Sequence, residues 1–386
     1  MAGSVIDWLA AIEGEAALAP WLATKQEAAR QQLQTLSGPN RKTELWRYAD
    51  AQRLKQALPA ATTAQAEVAE NQAAADVVIE LNNQGLQVHG DCPDWLQVTD
   101  ISGIEPTAWQ ELLFDQETVV NLANTAYFNT GVRITVAPNA DAENVQVALK
   151  YQFDDAGDWR FIRNHIELTA GAQLNLKEVH QSGRINVANV YAMAEGSELK
   201  RWHDVSLNDA QQSISFHQFE LSGRNRVINM NRHYGGFVQH HNHVVNFNGE
   251  ASEYRSGSIN KGFNNSHITD IVKVNHNHKN NLSDVTHRSI ASDQSQIFNN
   301  AKAVVAVGAD QSEIEQDLKN ILLSEDAKIY SKPELEVYAD EVVAAHGSTI
   351  GALDEQSLFY LQSRGIDIQQ ARQIMIESFE QEAVIC

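Results

Sequence analysis

Histidine is the residue type in this chain with the most chemistry to offer. Ten of the fourteen histidines fall between His203 and His287. His240, His241 and His243 are clustered, and His276 and His278 are two apart. On a β-strand, residues two apart share a face, so His241 would pair with His243 and His276 with His278. Imidazole suits Zn, Fe, Cu or Ni, so two such pairs on neighbouring strands could hold a transition metal. Against that, no Asp or Glu lies in a ligand-like position next to these pairs, and no H-E-x-x-H occurs. The preferred reading is a ladder of polar side chains on the outside of a β-structure.

Other candidates are weaker. Cys92 lies in a turn, Gly90-Asp-Cys-Pro-Asp94, and Cys386 is the last residue. Two thiols without a nearby Cys or His cannot by themselves ligate an iron–sulfur centre. Gly235-Gly236 lacks the Lys-Ser/Thr of a phosphate-binding loop, and Gly347-Ser348-Thr349 does not open a helix directly. Asp154 and Asp155 read as a solvated turn. No nucleophile elbow or dinucleotide fingerprint appears.

The elements that would carry these residues change along the chain. Val5–Trp21, 24–36, Arg41–Leu58, 109–113 and 118–128 have helical spacing or composition, with an Ala/Thr/Gln-rich linker over 59–75. From Gly131 onward short runs alternate. Val145, Val147, Leu149, Tyr151 and Phe153 occupy every second position, as on one face of a strand. No proline occurs between Pro138 and Pro333, which fits continuous ladder pairing. Gly171, Gly196, Gly223 and Gly249 are 25, 27 and 26 residues apart, a loose repeat that predicts stacked coils. An evenly turned β-sandwich is the alternative. Ser312–Leu323 reads as an amphipathic helix on Ile314, Leu318, Ile321 and Leu322, and Lys332–Val343 as a strand. Two helices close the chain. One begins near Asp354 and ends at Arg364-Gly365; the other runs from about Asp367 to Ala383. Their apolar stripes are too large to cover each other fully, so some should meet the body or another chain.

Composition narrows the function. Apolar residues are 43%, charged residues 20%, and the formal net charge is −21. Such a surface repels phosphate backbones, so nucleic acid is a poor partner. Few cysteines, no visible signal segment and no apolar run of spanning length point to the cytoplasm and away from a membrane.

The C-terminal third resembles the SufB/SufD family of iron–sulfur cluster assembly scaffolds. The resemblance rests on Asp317-Leu-Lys-Asn-Ile-Leu-Leu-Ser324, Ser331-Lys-Pro-Glu-Leu-Glu-Val-Tyr-Ala-Asp340, His346-Gly-Ser-Thr-Ile-Gly351, Leu353-Asp-Glu355 and Leu358-Phe-Tyr-Leu-Gln-Ser-Arg-Gly-Ile366. Arg41-Lys-Thr-Glu-Leu-Trp-Arg-Tyr48 and Leu122-Ala-Asn-Thr-Ala-Tyr-Phe128 extend it over most of the chain, whose shortness and cysteine poverty resemble the SufD branch. It implies a mainly β protein, a right-handed parallel β-helix core with flanking α-helical domains. The divisions fall at 1–131, 132–352 and 353–386. It further implies a non-catalytic subunit that pairs with a SufB homologue and binds the SufC ATPase through the C-terminal helices. Leu358, Phe359, Leu361, Arg364, Ile374 and Phe379 would carry that contact. The cluster is held transiently by the complex, reduced flavin is a family-level ligand, and no cofactor binds tightly to this chain alone. Self-pairing into a homodimer is compatible with isolation from SufB. Family members often have Cys-Ser-His where this chain has Ala344-Ala345-His346, so a ligand role carries over to His346 only. The competing function is a β-helix enzyme acting on carbohydrate, or a His-cluster metalloenzyme.

Overall fold

The computed structural model describes residues 20–35, 53, 75–103, 119–139, 145–153, 159–180 and 183–385. The expected helices over 41–58 and 109–113, most of the helix over 5–21, and Asp154, Asp155 and Cys386 lie outside these. The described helices are α1 (Pro20–Thr35), α2 (Val119–Tyr127), α3 (Glu355–Ser363) and α4 (Ile368–Gln381). The strands are β1 (Val77–Asn82), β2 (Gly85–His89), β3 (Leu96–Asp100), β4 (Val132–Val136), β5 (Gln146–Gln152), β6 (Trp159–Leu168) and β7 (Gln173–His180). They continue as β8 (Arg184–Met193), β9 (Glu198–Leu207), β10 (Gln212–Leu221), β11 (Arg226–Gly235), β12 (Val238–Phe247) and β13 (Glu253–Gly262). The last are β14 (His267–His276), β15 (Leu282–Ala291), β16 (Gln296–Val305), β17 (Ser312–Leu322), β18 (Lys328–Val337) and β19 (Val342–Gly351).

From β4 onward the chain alternates between two sheets. One sheet runs β19-β17-β15-β13-β11-β9-β7-β5-β1-β2 and holds the odd strands with β2; the other runs β18-β16-β14-β12-β10-β8-β6-β4-β3 and holds the later even strands with β3. Strands two apart in sequence pair in parallel, so each coil lays one strand on each sheet. One coil takes 25 residues from Trp159 to Arg184 and 32 from Gln296 to Lys328. This is the solenoid, not the sandwich. Residues 77–100, assigned from sequence to the helical N-terminal part, supply β1, β2 and β3. β1 pairs in parallel with β5, while β2 and β3 pair antiparallel with β1 and β4.

The glycine repeat marks one corner of the coil, where an even strand hands over to an odd one. A Cβ on Gly249 would lie 1.9 Å from the Ser222 carbonyl oxygen of the coil before, so at that corner only glycine lets the two coils stack. Asn225 fastens the same corner. Its Oδ1 accepts from Gly223 N (2.8 Å) and its amide donates to the Ala194 carbonyl (2.6 Å). Asn281 ties the corner two coils on, accepting from Ser252 N and donating to Gly249 O.

Two sequence expectations change. Ser312–Leu322 is β17, not a helix: Ser312, Ile314, Gln316, Leu318 and Asn320 face inward at period two. Ile314 and Leu318 are four apart, which either period allows, and the polar Gln316 and Asn320 hid the alternation. The single strand expected over 332–343 is the end of β18, a corner and the start of β19. Pro333 sits within β18, which is tolerated because β18 is the terminal strand of its sheet and nothing needs the missing N–H.

The interior is apolar at its N-terminal end, where Val77, Ile79, Val132, Ile134, Val147 and Leu149 are fully buried. Further along it turns polar. Asn164 donates to Asn189 Oδ1 (2.9 Å), Asn189 donates to Glu178 Oε2 (2.8 Å), and Glu178 Oε1 meets Arg201 Nε at 2.6 Å. Neither charged side chain has any solvent exposure. Burial opposes the Arg201 charge, but the Glu178 carboxylate and Tyr191 more than offset it and raise its pKa. Removing one member of such a pair strands the other. Arg201→Met should cost about 3–5 kcal/mol of unfolding free energy, with part restored in the Glu178→Gln/Arg201→Met double variant. Urea unfolding of the three proteins tests this, and a cost under about 1 kcal/mol would show that the pair is not what holds these coils.

Candidate functional site

The last coil is an open end. β19 pairs only with β17, and β18 only with β16, so each leaves one row of backbone donors and acceptors without a strand partner. Ten residues of β19 carry almost no cover; Val343 is 71% exposed, and Tyr338 and Ile350 are also exposed. His346 lies here, in register with Gln316, whose side chain is buried one coil below. It thus continues an inward-facing column to the mouth of the rod, where no further coil covers it. Ala344 stands over Ile314 and Ser348 over Leu318; Ser348 Oγ bonds Ser331 Oγ across the two sheets at 2.8 Å. Long, flat edge strands of this kind template pairing with another chain.

The two C-terminal helices differ in attachment. Asp354 caps α3 by accepting from Ser357 N (2.7 Å), and Asp367 caps α4 by accepting from Gln369 N and Gln370 N. Gly365, at φ +88°, makes the left-handed turn between them. α4 lies on the outer face of the odd-strand sheet. Glu380 takes Tyr234 Oη and Lys261 Nζ; Glu382 takes Arg288 and Lys319. Ala371, Ile376 and Ala383 are buried, and Phe379 is partly covered beneath the Arg288 guanidinium. Gly257 of β13 allows this approach, since a Cβ there would lie 2.0 Å from the Ala383 carbonyl oxygen. α3 buries nothing: Phe359 is 72% exposed, Tyr360 is exposed beneath Arg364, and Leu358 and Leu361 are half-buried. Of the six residues read as a partner contact, Phe379 is therefore largely engaged by the body. Ile374, 44% exposed, remains on the outer side of α4 with Leu358, Phe359, Leu361 and Arg364 on α3.

The histidines are not an outer ladder. His203, His217, His233, His241, His243 and His287 are buried inside the coil stack, while His278 lies beyond the end of β14 and is exposed. Acidic partners absent in sequence are present in space: Glu178 lies with His203 and His217, and Asp270 lies 3.8–3.9 Å from His233, His243 and His287. The register brings them together, with His217 paired to His243 and Ser215 to His241, one coil apart. Linear spacing alone carried no sign that Glu178, Arg201, His217, Asp270 and His287 meet, and the corner glycines count the coils only as far as Gly249.

Burial, then the Arg201 charge, holds His203 and His217 well below the usual imidazole range. Burial does the same for His241, with His233 adding to it. Burial also lowers His233 and His287, against the opposing pull of Asp270, and brings His243 to about 3. Burial alone would raise Asp270, yet His287, His233 and His243 together with the Asn260 amide bring it to about 2. The interior thus holds neutral imidazoles around one carboxylate. Above pH 6.5 folded and unfolded chains carry these rings equally neutral. Below it the unfolded chain takes up protons that the folded chain refuses, and each ring then costs about 1.4 kcal/mol per pH unit. Loss continues down to the folded pKa, about 4 for His240 and His276. Unfolding free energy should therefore fall steeply between pH 6.5 and 4, with a slope of several protons in urea titrations. A slope of one proton or less would contradict the burial of these rings.

Residues 151–379 match the family described as SUF system FeS cluster assembly, SufBD core domain. The chain is similar to the iron–sulfur cluster assembly protein SufD of Escherichia coli K12, 31% identical over 238 residues, which is 57% of this chain and 53% of that one. It is also similar to an iron–sulfur cluster assembly SufBD family protein of Synechocystis, 32% identical over 158 residues (40% of this chain, 34% of the other). The SufD of Bacillus subtilis is 35% identical over 85 residues, 22% of this chain and 19% of its own. The matches thus span about half the length of the E. coli protein and less of the others. No helix among the described residues is long and apolar enough to cross a membrane. The matched segment covers most of the coil stack and both C-terminal helices, and on it the chain belongs to the SufB/SufD family of iron–sulfur cluster assembly proteins as a SufD-like member.

Proposed function

We propose that this chain is a non-catalytic scaffold subunit of a cytoplasmic complex with a SufB homologue and the SufC ATPase. The open terminal coil carries the proposal. A ten-residue edge strand with exposed Val343 and Ile350 calls for a partner that adds the next coil. A SufB-type β-helix presenting a like end would supply it, and a second copy of this chain would use the same edge when no SufB is present. The SufC contact falls on α3, which presents Phe359 and Tyr360 while α4 is tied to the rod, so an ATPase could dock without disturbing the coils. Co-expression with SufB and SufC homologues should recover both on this chain, and Leu358→Asp with Phe359→Asp should weaken SufC binding by more than about 2 kcal/mol in calorimetry. Phe359→Asp by itself should leave the melting temperature unchanged, because that ring is 72% exposed. Recovery of neither partner, or undiminished SufC affinity, would defeat this assignment.

A cluster formed at the edge would find His346 as this chain's donor, with Ala344 unable to ligate. Imidazole ligates iron, and His in place of thiolate raises a cluster's potential. Iron–sulfur reconstitution of the co-expressed complex should therefore yield less bound iron with His346→Ala, and a blue-shifted or weakened cluster absorption. Equal iron content and an identical spectrum would remove His346 from the ligand set.

A further inference from the structure

We propose that His203, His233 and His241 form a binding site for one divalent first-row transition-metal ion, of the Zn2+ or Fe2+ class, inside the coil stack. The three come from β9, β11 and β12, and so from both sheets. All three are buried, and one donor atom from each lies within 4.8 Å of the other two. His203 Nδ1 and His233 Nε2 are 3.4 Å apart. That is long for a hydrogen bond, but it is roughly the separation of two nitrogens held at about 2.0–2.1 Å on a tetrahedral ion.

The surrounding bonds fix which nitrogens can donate a lone pair. The Asn260 amide group gives its N–H to Asp270 Oδ2 (3.1 Å), so its Oδ1 accepts the Nδ1–H of His233 (2.9 Å). His233 Nε2 is then unprotonated and faces His203. Gln239 donates to the Tyr234 and Gly235 carbonyls, so its Oε1 accepts the Nε2–H of His241 at 2.9 Å. His241 Nδ1 is therefore the second lone pair, now receiving the Ser215 hydroxyl at 2.7 Å. His217 Nδ1 accepts from the Arg201 guanidinium at 3.0 Å, so its Nε2–H donates to Ser215 Oγ at 3.0 Å and keeps that oxygen paired when a metal displaces the Ser215 hydroxyl from His241 Nδ1. The path His233–Asn260–Asp270 gives one ligand the carboxylate-backed support common behind metal-binding imidazoles. The overlapping group of Glu178, His203 and His217 is spent: Glu178 is held by Arg201, Tyr191 and Asn189, and the Arg201 guanidinium lies 3.0 Å from His217, where it would repel a cation.

The site is closed, so loading is best done during folding. The full chain refolded with Co2+, or produced in Zn2+-supplemented cells, should hold close to one ion per chain after dialysis against a weak chelator. The Co2+ form should show the intense visible ligand-field absorption of a tetrahedral site, and the melting temperature should rise with metal. His233→Asn keeps a donor for Asn260 and deletes Nε2; His241→Gln keeps a donor for Gln239 and deletes Nδ1. Each should lose the ion and the absorption, whereas His276→Gln, elsewhere in the same interior, should keep both. Where a variant fails to fold, X-ray absorption at the Zn edge of the parent chain decides, since the proposal requires a shell dominated by imidazole nitrogens. No retained ion, a shell without imidazole, or metal retained by folded His233→Asn would overturn the proposal, the last by placing the ion on exposed histidines.

Discussion

Backbone hydrogen bonds in this molecule run along the rod, from each coil to the ones before and after it, and most other features follow from that direction. A strand such as β11 has its donors and acceptors satisfied by β9 and β13 alone. Successive corners must therefore stack in register: at Gly249 a Cβ would collide with the coil before, and the asparagines at 225 and 281 tie neighbouring corners together. The same direction leaves the last coil half-satisfied. The exposure of β19 is the unavoidable end of a stack, and the strand carries no Asp, Glu, Lys or Arg along that edge.

In-register stacking also builds columns. Each inward-facing residue sits on its counterpart one coil away, so a polar residue inside the rod can be satisfied by polar residues above and below it. This is why a file of Asn, Ser, His, Glu, Arg and Asp can run through an interior that excludes water. Asn229 reaches Tyr254 and Ser256, Asn231 reaches Ser256 and Ser258, and Asn299 reaches Ser289 and Asn320. Polar groups at this depth destabilise a fold unless paired. Their retention over several coils sets this interior apart from the aliphatic one at the N-terminal end. It also brings imidazoles from separate strands within ligand distance of each other.

The C-terminal helices divide two tasks that the sequence presented as one. α4 spends its acidic residues, Glu380 and Glu382, on Lys261, Arg288 and Lys319, and buries Ala371, Ile376 and Ala383. α3 buries no residue fully and is held by its caps, its turn and the partial cover of Leu358 and Leu361. A helix with no fully buried residue is marginal by itself, and Phe359 and Tyr360 are the large aromatic side chains that it leaves open.

Sequence alone determined the local geometry. Glycines one coil apart gave the solenoid, period-two alternation gave its strands, the missing prolines gave uninterrupted ladders, and Asp354, Asp367 and Gly365 fixed the ends of the last two helices. These are near-neighbour effects, written in the order of residues. The tertiary structure decided which face of a strand is inside, because in a polar-lined rod hydrophobicity no longer marks the interior. That is why His241 and His243 read as outer residues and Ser312–Leu322 as a helix. It also decided the company each histidine keeps: Asp270, His287 and Glu178 reach the cluster through coil-to-coil register, which adds up over every corner between them and leaves no local trace in the chain.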